Sequence, residues 1–400
     1  MFFHIVLAIT SGVFCGTFTG LAPGIHTNLV ALLLLSASPF LLQFTSPIVL
    51  CCFIIAVAVT HTFLDTLPSI FLGAPDEEKV LNVLPGHKLL LQGKGFDAVK
   101  LTIVGSFLAL VLGVLLAPIT VPFSGIFYNL IKDYTGYALL VITAFMILKD
   151  KNRLLNLFIF LLSGVLGILV LNMPNLKDPL FPMLSGLFGI SGLLMSLFEK
   201  VNIPDQSFDE TVEIKSTDLV KAVFAGTFAG TLTGFLPGLG PAQGAVLASQ
   251  VVRKIGDYGF MVLVGGIGTV NFVFSLVTLY TIEKSRSGVV VVMSKMIGEF
   301  GPYVLAVFMC VSLIAGGISV LIAMKITRVF AKLISKVNYA LVASCVIFIV
   351  TSLVFYFSGI LGLLVLVVST AIGIIPCITG TARNHQMGCL LLPVILFFLL

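Results

Sequence analysis

Gly12-Val13-Phe14-Cys15-Gly16-Thr17-Phe18-Thr19-Gly20-Leu21-Ala22-Pro23-Gly24 recurs 214 positions later as Gly226-Thr227-Phe228-Ala229-Gly230-Thr231-Leu232-Thr233-Gly234-Phe235-Leu236-Pro237-Gly238, identical at eight of thirteen positions. A second pair keeps the same order within each half: Ser163-Gly164-Val165-Leu166-Gly167-Ile168-Leu169-Val170-Leu171 and Ser358-Gly359-Ile360-Leu361-Gly362-Leu363-Leu364-Val365-Leu366. The chain is therefore read as a doubled unit. Residues 1–200 form a first membrane repeat, 201–220 a polar cytoplasmic linker and 221–400 a second membrane repeat.

Composition sets the class. The 400 residues are 58% hydrophobic and 10% charged, with a mean hydropathy of +1.18, whereas soluble domains carry about 25% charged residues. Apolar runs of roughly 20 residues cross a bilayer as helices, and such runs follow one another from residue 4 onward. The expected class is an all-α polytopic protein of the cell membrane with about 12–14 transmembrane segments. The net charge of +5 calls for no nucleic acid, because basic residues of membrane proteins gather in cytoplasmic loops. The seven cysteines lie singly or adjacent within apolar runs, without C-x-x-C spacing, so packing roles are expected and metal sites are not. Met1-Phe2-Phe3-His4 lacks a basic n-region and an A-x-A site, so the first apolar segment is expected to be retained.

The apolar segments fall at 4–21, 27–43, 46–63, 99–120, 135–149, 154–171 and 179–198, then at 217–235, 242–255, 259–282, 302–325, 339–357, 358–376 and 385–400. A half-span at 66–74 reads as re-entrant. Seven segments per half is an odd number, so the second copy enters from the opposite side and the repeats are inverted. Charge supports that arrangement. With the N-terminus outside, 17 of the 22 basic residues, among them Lys88, Lys94, Lys149 and Arg383, fall on the cytoplasmic side; Lys132, Lys177, Lys284, Arg286 and Lys295 fall outside. This is the sense of the positive-inside rule.

Glycines at i, i+4 and i+8 lie near one helical face and let a neighbouring helix approach closely. Packing is therefore one reading of the doubled motif. The Pro-Gly that follows supports a second, because Pro23 disfavours helix at the residue before it and Gly24 tolerates positive φ. A helix that ends and restarts at membrane depth has unpaired backbone groups, tolerated only when buried in protein or lining a wet cavity. Broken helices at matching places in two halves point to a transporter binding site. Restarted helices present N-H donors and a partial positive charge, which suit carboxylates; C-terminal carbonyls suit Na+ or H+. The candidate solute-binding residues are Thr17, Thr19, Gly20, Pro23, Gly24, Thr27 and Asn28 at the first break. At the second they are Thr231, Thr233, Gly234, Pro237, Gly238, Gly240 and Gln243. Interhelical hydrogen bonding is the competing role for their hydroxyls and amides.

His61 and Asp65 stand four apart, and in the second half Asn271 and Ser275 take the nearest equivalent places. Ionisable groups at membrane depth cost roughly 2.5 kcal/mol or more to insert and mark functional sites. These four are candidate ion-coupling residues; capping of the re-entrant segment at the interface is the alternative. Asp76-Glu77-Glu78-Lys79, Lys88 and Lys94 read as solvated surface, and His26 and His87 are isolated.

At these residues the sequence resembles the TctA family, the large membrane subunit of the tripartite tricarboxylate transporters. The family pattern, a glycine-spaced helix leading into a Leu-Pro-Gly break, is matched by Gly16 to Gly24 and Gly230 to Pro241. A second signature resembles Ser69-Ile70-Phe71-Leu72-Gly73-Ala74-Pro75, followed by Pro85-Gly86-His87-Lys88-Leu89 and Leu91-Gln92-Gly93-Lys94-Gly95. Asp76 stands where the family has Gly, Gly73 where it has Asn, and the second-half Pro-Gly expected after Asn271–Thr281 is missing. These departures suggest a divergent, short member. The resemblance implies cation-coupled uptake of a carboxylate, delivered by an extracytoplasmic solute-binding protein, with a small membrane subunit as companion.

The expected function is thus a secondary-transporter permease for a carboxylate-bearing, tricarboxylate-like solute. Na+ or H+ is the coupling ion, and no other cofactor or metal is expected. An intramembrane enzyme or lipid-handling protein using His61 and Asp65 is the alternative, although no H-E-x-x-H, G-x-S-x-G or P-loop motif is present.

Overall fold

The computed structural model describes residues 2–22, 27–73, 83–149, 152–198, 203–208, 212, 214–236, 239–252, 255–283, 287–298, 300–336 and 338–400. Among them every regular element is a helix. Eight helices are long and apolar enough to cross a membrane, and shorter apolar helices lie at 30–41, 135–149 and 383–399. The protein is an all-helical polytopic membrane protein, as expected for a chain whose backbone polar groups must pair within each segment in lipid.

Two helices form the centre. α14 (Gly256–Ile282) has 94% of its apolar window buried, and the span Pro47–Phe71, made of α3 (Pro47–Leu64) and α4 (Thr66–Phe71), has 83%. For α1 (Phe2–Leu21) the figure is 33%. Helices that are apolar all round find protein on every side, whereas α1 is packed along one face.

That face is the glycine ridge. A side-chain carbon added at Gly12, Gly16 or Gly20 would lie 2.7, 2.6 or 3.0 Å from the carbonyl oxygen of Phe53, Val57 or His61 of α3. On α12 (Ser216–Phe235), one added at Gly226, Gly230 or Gly234 would lie 2.7, 2.8 or 3.2 Å from the carbonyl oxygen of Leu263, Ile267 or Asn271 of α14. Both glycine helices run parallel to their partners, and the two sets of partners correspond one to one. The packing reading of the motif is realised in both halves, and it sets His61 opposite Gly20 as Asn271 is set opposite Gly234.

The halves also interlock. α6 (Gly95–Thr120) lies on α14, with Gly105 against the Val262 carbonyl and Ser106 Oγ donating to Gly265 O at 2.8 Å. α16 (Pro302–Ile334) lies on α3, with the Ser319 and Thr60 hydroxyl oxygens 2.9 Å apart. A second exchange pairs α9 (Arg153–Leu171) with α18 (Gly388–Leu399), Gly164 meeting Leu392. In its counterpart α17 (Tyr339–Thr379) packs on the span 180–198, Gly373 meeting the Leu187 carbonyl. That span comprises α10 (Leu180–Leu184), a π-helical turn at Ser185–Ile190 and α11 (Ser191–Phe198).

Several boundaries differ from the sequence reading. The segment at 66–74 is not re-entrant over its described residues: Asp65 is helical (φ −59, ψ −20) and α4 continues α3 as one span. The segments 339–357 and 358–376 belong to one long helix, α17, kinked at Gly359 (φ 65, ψ −158). Three short helices were not foreseen: α5 (Val83–Leu91), α7 (Ser124–Ile131) and α15 (Gly288–Met296). Each is too short for a 20-residue hydropathy criterion to register. α2 (Thr27–Leu41) and α13 (Pro241–Val251) are likewise shorter than a full span.

Part of the linker is tied down: Gln206 Oε1 accepts from Gly95 N at 2.7 Å, and its Nε2 donates to Leu90 O at 3.1 Å. Lys88 pairs with Asp257 at 2.7 Å, and Lys94 lies over the Tyr258 ring at 5.7 Å. Both contacts join residues that the charge reading assigns to one membrane face.

Candidate functional site

The glycine helices stop where the motif places their ends. α1 finishes at Leu21 and α2 begins at Thr27; α12 finishes at Phe235 and α13 begins at Pro241. Pro23, Gly24, His26, Pro237 and Gly238 lie outside the described residues. At the second restart Gly240 is extended (φ −94, ψ 173) and Pro241 takes the first helical position, where its missing N-H costs nothing. Gln243 Oε1 accepts from Gly240 N at 2.9 Å, which holds the turn.

Both restarts open on one cavity of about 490 Å³, within the usual range for a small-molecule site. Thr27, Asn28, His61 and Thr62 line it from the first half, and Thr233, Gly240, Gln243 and Asn271 from the second. Leu171, Leu180, Leu184, Leu390 and Val394 close an apolar wall. Ser287 and Gly288 add a third helix start, that of α15, where Ser287 Oγ accepts from Val290 N at 3.4 Å. A side-chain carbon at Gly288 would lie 2.8 Å from Asn28 Oδ1, so the starts of α2 and α15 abut.

Three helix N-termini thus meet at one cavity, each with roughly half a positive charge and N-H groups that lack intrahelical partners. No Lys, Arg, Asp or Glu is among the described lining residues, and His61 is the one ionisable side chain there. Asn271 is 9% exposed, and its side-chain amide has no hydrogen-bond partner among the described residues, although its backbone carbonyl accepts from Ser275 Oγ at 2.7 Å. His61 Nδ1 lies 3.2 Å from Thr19 Oγ1. Where the two halves touch, the Thr62 and Thr269 hydroxyls share a hydrogen bond at 3.3 Å. Chemically the arrangement offers donors and fractional positive charge in a small, largely apolar enclosure, the complement of a compact anion.

The profile of the tripartite tricarboxylate transporter TctA family matches residues 6–388. The chain belongs to the TctA family. It is also similar to "Uncharacterized protein MJ1079" of Methanocaldococcus jannaschii, 31% identical over 98% of this chain and 99% of that protein. No solved structure matches it.

Within this TctA chain the described residues singled out from sequence divide into four groups. Thr27, Asn28, Thr233, Gly240 and Gln243 line the cavity with His61 and Asn271. Thr19, Gly20 and Gly234 are buried at helix contacts beside it, Thr19 through His61 and the glycines through close backbone approach. Thr17 and Thr231 lie elsewhere. Their hydroxyls donate to Val13 O and Thr227 O, both at 2.8 Å, and Thr17 faces an apolar groove with Phe14, Ile318 and Ile322. Threonine four residues from a helix carbonyl satisfies itself this way, and neither residue lines the cavity. Asp65 and Ser275 are buried one turn beyond the lining. Thr62, Ser287 and Gly288 also line the cavity; Ser287-Gly288 is a helix-start signal in the sequence, but it lies outside the doubled motif.

Proposed function

We propose that this TctA chain is the permease of a tripartite transporter. It moves a carboxylate-bearing, tricarboxylate-like solute across the cell membrane by alternating access around the two Gly-Pro-Gly breaks, coupled to Na+ or H+. The observation that carries this reading is the convergence of three helix N-termini and the Asn271 amide on a cavity with no Lys, Arg, Asp or Glu among its described lining. Helix starts hold carboxylates without a full buried cation.

We read the two repeats as inverted. Gly86 sits against both Ile70 and Met261, and Lys88 pairs with Asp257, so α14 starts where α3 and α4 finish. Thr62 meets Thr269 midway. Since α1 and α12 are each parallel to their partner helix, this supports two hairpins, α1–α2 and α12–α13, entering from opposite faces with tips at one level. Rocking of one such unit against the other exposes a fixed site to each side in turn. An extracytoplasmic binding protein and a small membrane subunit are the partners the family description supports. The enzyme alternative gains nothing: Asp65 does not line the cavity, and no cluster of three His, Cys, Asp or Glu residues suited to a metal exists among the described residues.

The test is uptake of labelled citrate by proteoliposomes, run with sodium and pH gradients imposed separately. Asn271→Ala and Gln243→Ala each remove a donor to a charged ligand, worth about 1.5–3 kcal/mol, and are expected to raise the apparent Km about tenfold or more. Unchanged uptake in both variants sinks the site assignment.

A further inference from the structure

The helices fall into two sets, and each half of the chain gives to both. From the first half α1 to α7, and from the second α12 to α16, pack chiefly on one another; α8 (Thr135–Lys149), α9 to α11, α17, the turn at 383–387 and α18 do the same. Both copies of the glycine motif lie in the first set. Both copies of the motif that starts at Ser163 and Ser358 lie in the second, on α9 and α17. The division is therefore itself doubled, and it cuts across the repeats instead of between them.

Inside each set, helices meet at backbone level. In the first, Gly105 stands on the Val262 carbonyl and Gly230 on that of Ile267; in the second, Gly167 stands on the Cys389 carbonyl and Gly186 on that of Leu366. Hydrogen bonds add to this: Ser106 to Gly265 O at 2.8 Å in the first set, and Arg383 Nη2 to Leu187 O at 2.7 Å and Gln386 Nε2 to Ile372 O at 3.2 Å in the second. Such contacts have little slack, because a packed backbone cannot turn aside as a side chain can. Between the sets side chains meet instead. Leu193 of α11 lies 3.1 Å from a carbon added at Gly73, and Lys149 of α8 donates to Gln250 of α13 at 3.4 Å on the exposed surface.

The cavity lies on this boundary. Among its described lining, the helix starts and every polar side chain come from the first set, whereas Leu171, Leu180, Leu184, Leu390 and Val394 come from the second. Apolar contact has no direction, so the first set can shift along the leucine wall by exchanging one apolar neighbour for another. Rocking confined to the hairpins asks for more. It loosens the Thr62–Thr269 and Thr60–Ser319 hydrogen bonds and the seat of Gly105 on α14, all of which join first-half to second-half residues.

We propose, resting on the carboxylate-permease reading, that the unit that moves is the whole first set, both hairpins together, and that it moves against the leucine wall of the second. The site stays fixed within the first set and is carried with it, and the wall seals the side of the site turned toward it.

The experiment is citrate uptake by proteoliposomes of the full chain bearing one cysteine pair, with Cys15, Cys310, Cys345 and Cys377 replaced; Cys51, Cys52 and Cys389 are buried. A short bifunctional thiosulfonate between Lys149→Cys and Gln250→Cys pins one set to the other. Once mass spectrometry shows the bridge, uptake is expected to be lost, and to return with reductant or when a long flexible reagent spans the same pair. The short reagent between Lys88→Cys and Asp257→Cys pins the first half to the second inside the first set, and uptake is expected to continue. Uptake that survives the first pin, or that the second pin stops, overturns the proposal. A protein that takes up neither citrate nor a dicarboxylate before any reagent is added overturns the carboxylate reading itself, and this inference falls with it.

Discussion

Gly16 and Gly230 show what single residues do here. A methyl group at either would sit 2.6 or 2.8 Å from a backbone carbonyl of the neighbouring helix, and backbone cannot rotate away as a side chain can. Gly16→Leu is therefore expected to lower the melting temperature in detergent by the equivalent of about 1–3 kcal/mol or more. Gly317→Ala, with nothing within 4 Å of the added carbon, is expected to be neutral or stabilising by up to about 1 kcal/mol. His87, on α5 outside the membrane spans, is held below the usual imidazole range, chiefly by burial; the Ile70 carbonyl opposes the shift and the Arg383 charge adds to it. A value depressed in the folded state means that its stabilising contribution is present above the unfolded value near 6.5 and is lost as the pH falls through the folded value. His87→Gln is expected to flatten the acid limb of a plot of melting temperature against pH; an unaltered limb excludes His87 as its source.

Among elements, the restarting helices matter most. α13 was legible because Pro237-Gly238 and then Gly240-Pro241 spell a stop and a start. α15 was legible in principle, from Ser287-Gly288 before an apolar run, yet nothing in sequence separates a surface helix start from one aimed at a cavity. Gly288→Val is expected to push Asn28 aside and to weaken citrate binding, while Gly298→Val on the far side of α15, with open space around it, leaves binding intact; equal effects remove α15 from the site. α17 gives a second case. Gly359 has φ 65 and ψ −158, a region open essentially to glycine, and no atom lies within 4 Å of an added carbon. Gly359→Ala is thus expected to cost about 1–3 kcal/mol from backbone strain alone, read as a lower melting temperature.

The whole molecule is two interlocked halves. α6 of the first covers α14 of the second, and α16 of the second covers α3 of the first, so neither half buries its central helix alone. Separate expression of residues 1–200 would leave much of α3 and α6 without partners. Orientation follows from charge: a cysteine placed at Lys88 in a cysteine-free background is expected to react with impermeant reagents from the cytoplasmic side, and one at Lys295 from outside. The reverse pattern inverts the assignment but leaves the cavity as described.

From the sequence alone came the class, the doubling, the two glycine helices and most of the polar residues at their ends. Hydropathy and helix propensity act over adjacent residues, and a repeat is visible wherever both copies keep the same packing need. The tertiary structure decided which hydroxyls reach the cavity. Thr17 and Thr233 both belong to the doubled motif and both donate to their own helix, yet Thr17 faces a separate apolar groove and Thr233 lines the cavity. It also decided that α15 supplies a third helix start and that His61 meets Thr19. Those outcomes depend on rotation of a helix about its axis and on contacts between different helices, 42 positions apart for His61 and Thr19, and no local periodicity encodes either.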